Sequence, residues 1–312
     1  MFFGLSDEAL ALREGLREVL TAACSPAVVR SAWDGSTGEQ LWKELGSFGL
    51  PGLLVDESRG GLGLDELAFV GAMEEAGWHG VPGPLVETVS YLPAHDLPID
   101  GTARIAVQQP GVTAVPYADV ATHVCLADDA TLVPASPTQP VTSVDPSRRV
   151  AVVPAGMVVD PATTTSRATA TVGTAAFLLG LARRQVDMTV AYVKDRRQFG
   201  APVGSFQAVK HPLADAVVGT EFAWPAVLRA AHSLATKDTD TGLHVSMAKA
   251  LASDAAYRVS RVCLQAHGAM GYTVEYDLHL FAKRTWAMAR DWGTADEHRA
   301  VVSRALLERT AR

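Results

Sequence analysis

Arg196 to Gln207 gathers two adjacent guanidinium groups, two glycines, a proline and two phenylalanines into twelve residues. A guanidinium fork matches the oxygens of a phosphate, and two in sequence suit a pyrophosphate. Phe199-Gly200 offers an aromatic face and a close backbone approach, and Gln207, placed one to two turns into the following helix, adds an amide for a sugar. Arg196 and Arg197 also sit where a long helical pattern stops, so the bland alternative is a cation pair favoured by the helix dipole. Downstream, Gln265, Gly268 and Gly271 lie in a second punctuated stretch, Gln265 to Tyr272. As a helix end followed by a tight turn it needs no further role. Together the two stretches can grip a dinucleotide-like cofactor.

Little else in the chain has the spacing that chemistry requires. His79, His95, His123, His232, His244, His279 and His298 show no paired ligand spacing, so no metal is expected. His267 alone reads as structural, Glu57 and Glu66 as solvated, and Trp33, Trp42, Trp78, Trp224 and Trp286 as core or interface aromatics. Arg59 to Gly63 lacks the Lys-Ser/Thr ending of a P-loop and reads as a turn before a helix near Asp65.

The elements that position these stretches are mostly helical. Residues 6–22 carry a plausible N-cap, Ser6, acidic first-turn residues, and an apolar face through Leu16 and Leu20. Thr37 to Gln40 has the form of a capping box ahead of Leu41, Trp42, Leu45 and Phe48. A helix from Asp65 to about Gly77 and a helical piece over Leu85–Ala94 follow. Between about 80 and 160 proline, glycine and β-branched residues increase, and 104–108, 122–126 and 149–153 have strand character. From about 166 apolar residues recur at three- and four-residue spacing through Leu179, Ala182, Val186, Val190 and Val193. Further helices are expected over about 205–235, 241–265, 276–289 and 295–310, patterned as an antiparallel bundle. The expected fold is mainly α with a small β element, divided as 1–95, 96–160 and 161–312.

Bulk properties narrow the function. With 312 residues the chain can bury a large core. A formal net charge of −7 gives no support to nucleic-acid binding. Cys24, Cys125 and Cys263 are odd in number and far apart, which suggests a reducing compartment. No apolar run is long enough for a spanning helix and the N-terminus does not read as a signal peptide, so a cytoplasmic protein without a membrane partner is expected.

The pattern R-x-x-F-G-x-P-x-G-x-F-Q, then His211-Pro212-Leu213-Ala214-Asp215, then Q-x-x-G-x-x-G-Y, resembles the C-terminal half of the acyl-CoA dehydrogenase family. Leu41 to Leu45, the Arg59–Gly63 turn and the Glu74-Glu75 helix resemble its N-terminal half. The resemblance implies an N-terminal helical domain, a middle β domain and a C-terminal helical bundle, and FAD-dependent α,β-dehydrogenation of an acyl-CoA thioester by a carboxylate base and a flavin hydride acceptor. It places Arg196 on the FAD pyrophosphate and Gln198, Phe199 and Gln207 in contact with the cofactor. It assigns Gln265, Gly268 and Gly271 to a loop that receives FAD from a neighbouring subunit.

Two departures matter. The middle domain is truncated and lacks the family's Gly-Ser-Asp and Trp-x-Thr segments. Where the family has Tyr-Glu-Gly-Thr with its base, this chain has Asp291-Trp292-Gly293-Thr294, with Trp292 at the carboxylate position. The alternative base position, near Ala170, is not acidic either. Residues that reach toward a neighbour's FAD are kept and those that cradle a flavin are lost, a pattern similar to the short subunit of actinobacterial heterotetrameric, steroid-type acyl-CoA dehydrogenases. That resemblance implies a full-length partner in an α2β2 assembly that supplies the base. Two alternatives stay open: a self-sufficient homo-oligomer with a relocated base, Asp291 or Glu297, and a catalytically dead scaffold.

Overall fold

A computed structural model describes residues 4–109, 112–126, 131–134, 139–152 and 164–310. The chain opens with α1 (Asp7–Ala23), whose N-cap Ser6 accepts from the Ala9 amide at 3.2 Å. Next come α2 (Pro26–Trp33) and α3 (Glu39–Phe48). The capping box expected over Thr37–Gln40 does not form. Gly38, left-handed at φ 67°, takes the cap position, and the Gln40 amide instead donates one turn forward to Glu44.

Helix α4 (Glu66–His79) is capped by Asp65, which accepts from the amides of Leu67 and Ala68. The Arg59–Gly63 segment before it is a 3-10 turn and bend, as its composition suggested. Glu66 is half-buried rather than solvated, and burial raises its carboxyl pKa. From Ala68 to Gly77 α4 is buried on every side. Its partner is α6 (Thr164–Asp195), buried all round between Thr169 and Ala182. Glycine makes the crossing close: a methyl on Gly77 would sit 2.1 Å from the Phe177 carbonyl, and one on Gly180 2.0 Å from that of Glu74. Any side chain there would force the helices apart. Glu74 and Glu75, buried in α4, are held by Arg13 and Arg183, with Arg17 also on Glu75.

After α5 (Leu85–Tyr91) and a 3-10 turn to Ala94 the described residues form six short strands: β1 (Ile105–Gln108), β2 (Ala114–Pro116), β3 (His123–Leu126), β4 (Thr131–Pro134), β5 (Gln139–Val141) and β6 (Val150–Val152). They form two three-stranded sheets, in the orders β1-β3-β4 and β2-β6-β5. The expected strands over 104–108, 122–126 and 149–153 correspond to β1, β3 and β6, with Val153 outside the described residues. This part has a small core of its own, around Ala106, Val115, Val124, Leu126 and Ala151.

The remaining helices are α7 (Gln207–Ala235), α8 (Thr241–His267), α9 (Leu278–Met288) and α10 (Ala295–Thr310). A two-stranded hairpin, β7 (Arg197–Gln198) and β8 (Ala201–Pro202), joins α6 to α7. N-terminal helices and bundle share one continuous core, running from Leu5 to Trp292. The architecture is mainly helical with a few short strands. Among the described residues no helix is long and apolar enough to cross a membrane.

Candidate functional site

At the end of α6 the chain reverses through Phe199 and Gly200, the two central residues of the β7–β8 hairpin. Both have positive φ, 53° and 79°. A two-residue hairpin loop of type I′ needs that geometry and normally uses Asn-Gly for it. Phenylalanine in this conformation costs about 1 kcal/mol, and it gains no burial in return: Phe199 is 92% exposed. Its ring meets the Phe206 ring edge-on, at 6.3 Å. Arg196, Arg197 and Gln198 are exposed beside it. Among the described residues neither arginine has an ion-pair partner.

Gln207 is the first residue of α7, not one to two turns inside it, because Phe206 keeps an extended backbone. Its side chain is exposed. Helix α8 continues past Gln265 to His267, which packs inward while Gln265 stays exposed. Gly268 has φ 58° and ψ −134°, and a methyl placed there would meet nothing within 4 Å. Gly271 is different: buried, with the Leu264 carbonyl 2.8 Å from where a methyl would lie.

The two stretches meet through their helices. Tyr192, in the last turn of α6, stacks on His267 at 4.3 Å, and Tyr276 closes on the same imidazole at 4.8 Å. The His267 Nδ1 lies 2.8 Å from the Cys263 carbonyl, which assigns the ring proton to Nδ1. Burial lowers its pKa, so the ring is a neutral spacer. A cavity of about 510 Å³ opens between the start of α7 and the end of α8, lined by Val209, Pro212, Arg261, Gln265, Tyr272 and Trp286.

Trp292 and Asp291 lie elsewhere, in the turn between α9 and α10. They line a second cavity of about 770 Å³ against β2 and the 142–150 segment, with Trp286 a wall of both cavities. Trp292 is 3% exposed, has φ 61°, and stacks on Tyr91 at 6.2 Å. Its amide donates to Gln109 Oε1 at 2.7 Å, and its carbonyl lies 3.0 Å from His298 Nε2. Asp291 is buried and accepts from Arg148 Nη2 at 2.6 Å. Arg148 is itself buried, with its guanidinium 5.4 Å from the Tyr117 ring centre. One step further Arg284 of α9 donates to Asp145, to Ser147 and to the Val81 carbonyl. Glu297 is the N3 member of a Thr294–Glu297 capping box: its carboxylate accepts from the Thr294 amide at 2.7 Å, and the Glu297 amide donates back to Thr294 Oγ1. Those bonds lower its pKa. Asp291 and Glu297 are therefore both committed to local structure.

Two buried acids escaped the sequence reading, Asp145, which is paired with Arg284, and Glu87. Glu87 of α5 lies a turn before Tyr91, and burial, reinforced by the Asp291 charge, pushes its carboxyl up to about 7. Only its place in the fold distinguishes it; its sequence surroundings, Leu85 to Tyr91, read simply as a helical piece.

Comparison with known proteins decides the family. Residues 6–102 match the acyl-CoA dehydrogenase N-terminal domain and residues 165–307 its C-terminal domain. The chain is 32% identical over 314 residues to acyl-CoA dehydrogenase IpdE2 of Mycolicibacterium smegmatis, covering 94% of this chain and 97% of that one. The chain belongs to the acyl-CoA dehydrogenase family. Its fold superposes on the Tcur3481-Tcur3483 steroid acyl-CoA dehydrogenase G363A variant with a TM-score of 0.84 at 24% identity, covering 98% of this chain and 99% of the other. It superposes equally well, TM-score 0.84 at 22% identity, on a chain of the ChsE4-ChsE5 complex of Mycobacterium tuberculosis, covering 99% of each.

Members of this family are flavin-dependent oxidoreductases, and FAD is their cofactor. The exposed donor set fits the phosphate-and-ribose half of FAD. It offers two guanidinium groups without an ion-pair partner among the described residues, the exposed amides of Gln198, Gln207 and Gln265, an aromatic face, and bare backbone at Gly200 and Gly268, where an added methyl meets nothing within 4 Å.

Proposed function

We propose that this chain is the short, base-less subunit of a heteromeric acyl-CoA dehydrogenase. In this reading Arg196, Gln198, Phe199, Gln207, Gln265, Gly268 and Gly271 cover an FAD bedded largely in a full-length partner, and the partner supplies the base. The observation that carries it is the contrast in exposure. Six of those seven residues face solvent, and only Gly271 is buried. At the family's base position stands a buried indole, flanked by an aspartate already paired with Arg148.

When bound, FAD supplies the hydride acceptor for α,β-dehydrogenation. This chain's own part is binding and orientation. Arg196 and Arg197 neutralise phosphate charge, the Phe199 and Tyr272 rings cover apolar surface and exclude water, and Gln207 and Gln265 offer hydrogen bonds to hydroxyl groups. The working division of the chain is 1–95, 96–160 and 161–312. The substrate class is an acyl-CoA thioester; a steroid side-chain ester is the form suggested by the steroid acyl-CoA dehydrogenase that shares the fold. An α2β2 assembly is the arrangement proposed, in line with the two-component names of both structural relatives. A cytoplasmic location agrees with three buried free cysteines.

The decisive experiment is stoichiometry. Purified alone, the chain should hold no stoichiometric FAD and dehydrogenate no acyl-CoA; co-expressed with its full-length partner, it should yield an active complex with fewer flavins than chains. One FAD per protomer together with turnover by the lone chain overturns the proposal.

A further inference from the structure

Lys249 of α8 is fully buried, an unusual place for an ammonium group. Its Nζ reaches three oxygens: Ser253 Oγ at 2.9 Å, the Ala289 carbonyl at 3.0 Å and the Gly293 carbonyl at 3.1 Å. The two carbonyls bracket the Asp291-Trp292 segment. The same turn is held at Trp292 by Gln109 and His298, and its two positive-φ residues, Trp292 at 61° and Gly293 at 109°, are strained or glycine-dependent. A methyl on Gly293 would also lie 3.0 Å from His298 Nε2. The turn therefore needs an anchor on both sides of Trp292, and among the described residues Lys249 is the side chain that bonds to both.

We infer that Lys249 is the positioning residue of the 289–293 turn, fixing whichever side chain stands at position 292 against this chain's own cavity. With tryptophan there, the result is a cavity wall closed by an indole. That last meaning rests on the proposed base-less role; the anchoring itself does not. Lys249 also holds its place at a cost. Burial lowers its pKa to about 8, against the pull of the carboxylates of Asp291, Glu297 and Asp254; the neighbouring His298 is lowered by its own burial first and by the Lys249 charge second. A group that opposes folding in its charged form, yet is spent on two backbone carbonyls, fits a positioning role better than a stabilising one.

The test is amide hydrogen exchange on the full chain, which needs neither flavin nor partner. In Lys249→Met, exchange at residues 289–294 should speed up at least about tenfold. The amides of α8 should stay as protected as before, and the melting temperature should stay within about 4 °C of wild type. Ser253→Ala, which removes one of the three acceptors but leaves both carbonyl bonds, should show a smaller acceleration confined to the same turn. Unchanged exchange at 289–294 in Lys249→Met overturns the inference. So does uniform acceleration with a large fall in melting temperature, which marks a general core role. If Lys249→Met does not fold, unchanged or delocalised exchange in Ser253→Ala overturns it in the same way. Because no flavin is involved, failure here is distinguishable from failure of the stoichiometry experiment.

Discussion

Phe199-Gly200 and Trp292-Gly293 are built alike: an aromatic residue and a glycine, both at positive φ, in turns between two helices. Their surroundings are opposite. Phe199 is 92% exposed beside two arginines without an ion-pair partner among the described residues, whereas Trp292 is 3% exposed with its amide and carbonyl both bonded. The strain of the first turn has no compensation among the described residues. That of the second is met by Gln109, His298, Lys249 and the Tyr91 ring. Uncompensated strain at an exposed aromatic points to a surface completed by something else. Compensated strain at a buried aromatic points to a closed site. The same local device thus presents a ring in one place and plugs a cavity in the other.

Breaking the buried side of this comparison has the largest expected effect. Asp291→Ala leaves the Arg148 guanidinium buried without its carboxylate, which costs about 3–5 kcal/mol. Denaturant unfolding reads the loss directly. Asp291→Asn keeps the shape and an acceptor oxygen, so the complex should retain its dehydrogenase activity at reduced stability. Abolished turnover with unchanged stability would instead make Asp291 a base and erase the distinction between the two turns.

Glu87 sharpens the same side through pH. Its carboxyl pKa is raised from 4.5 to about 7 in the fold. Between those values the folded chain holds a proton that the unfolded chain has lost, so the stabilising contribution is complete below about 4.5 and disappears as pH rises through about 7. Glu87→Gln cannot titrate. Its stability should gain on wild type across that window by up to about 3 kcal/mol and then level off. Urea midpoints at pH 5, 6, 7 and 8 check the sign; a constant offset between the two proteins contradicts it.

The exposed side breaks with less energy and more function. Arg196 is exposed and has no ion-pair partner among the described residues, so Arg196→Ala should leave the melting temperature near that of wild type. Loss of a charge-assisted phosphate contact, worth about 1.5–3 kcal/mol, should weaken FAD binding in the complex roughly 10- to 100-fold. Flavin titration of the apo-complex measures it. Unchanged affinity would favour the scaffold reading.

Much of this was legible in the residues. Helix periodicity located α1 and α4 to α10 within a few positions, because their apolar faces and caps are local features. The Arg196–Gln207 and Gln265–Tyr272 stretches were legible because their glycines and cations punctuate otherwise regular helices. What escaped was set by tertiary partners. β2, β4 and β5 are three- and four-residue strands that exist by pairing with β3 or β6. The all-round burial of α6 between Thr169 and Ala182 comes from packing against α4 on one side and α5, α7, α8 and α9 on the others, so a single apolar stripe understated it. At Thr37–Gln40 a capping motif lost to a left-handed glycine. Lys249, Glu87 and Arg148 are ordinary letters in the sequence, and only the fold makes them buried charges.

The smallest expected effect separates two roles for one carboxylate. Glu297 was a candidate for the relocated base, yet its oxygen accepts from the Thr294 amide and hydroxyl at the start of α10. A capping box accepts glutamine as well as glutamate, since only an acceptor oxygen is needed. A base cannot be replaced that way, because the amide takes up no proton at working pH. Glu297→Ala should therefore cost about 1 kcal/mol of stability and Glu297→Gln only a few tenths, the remainder being charge against the helix dipole. Both variants should leave turnover of the assembled complex at the wild-type rate. Loss of turnover in Glu297→Gln with the fold intact would move the base into this chain and make the α9–α10 turn an active-site loop.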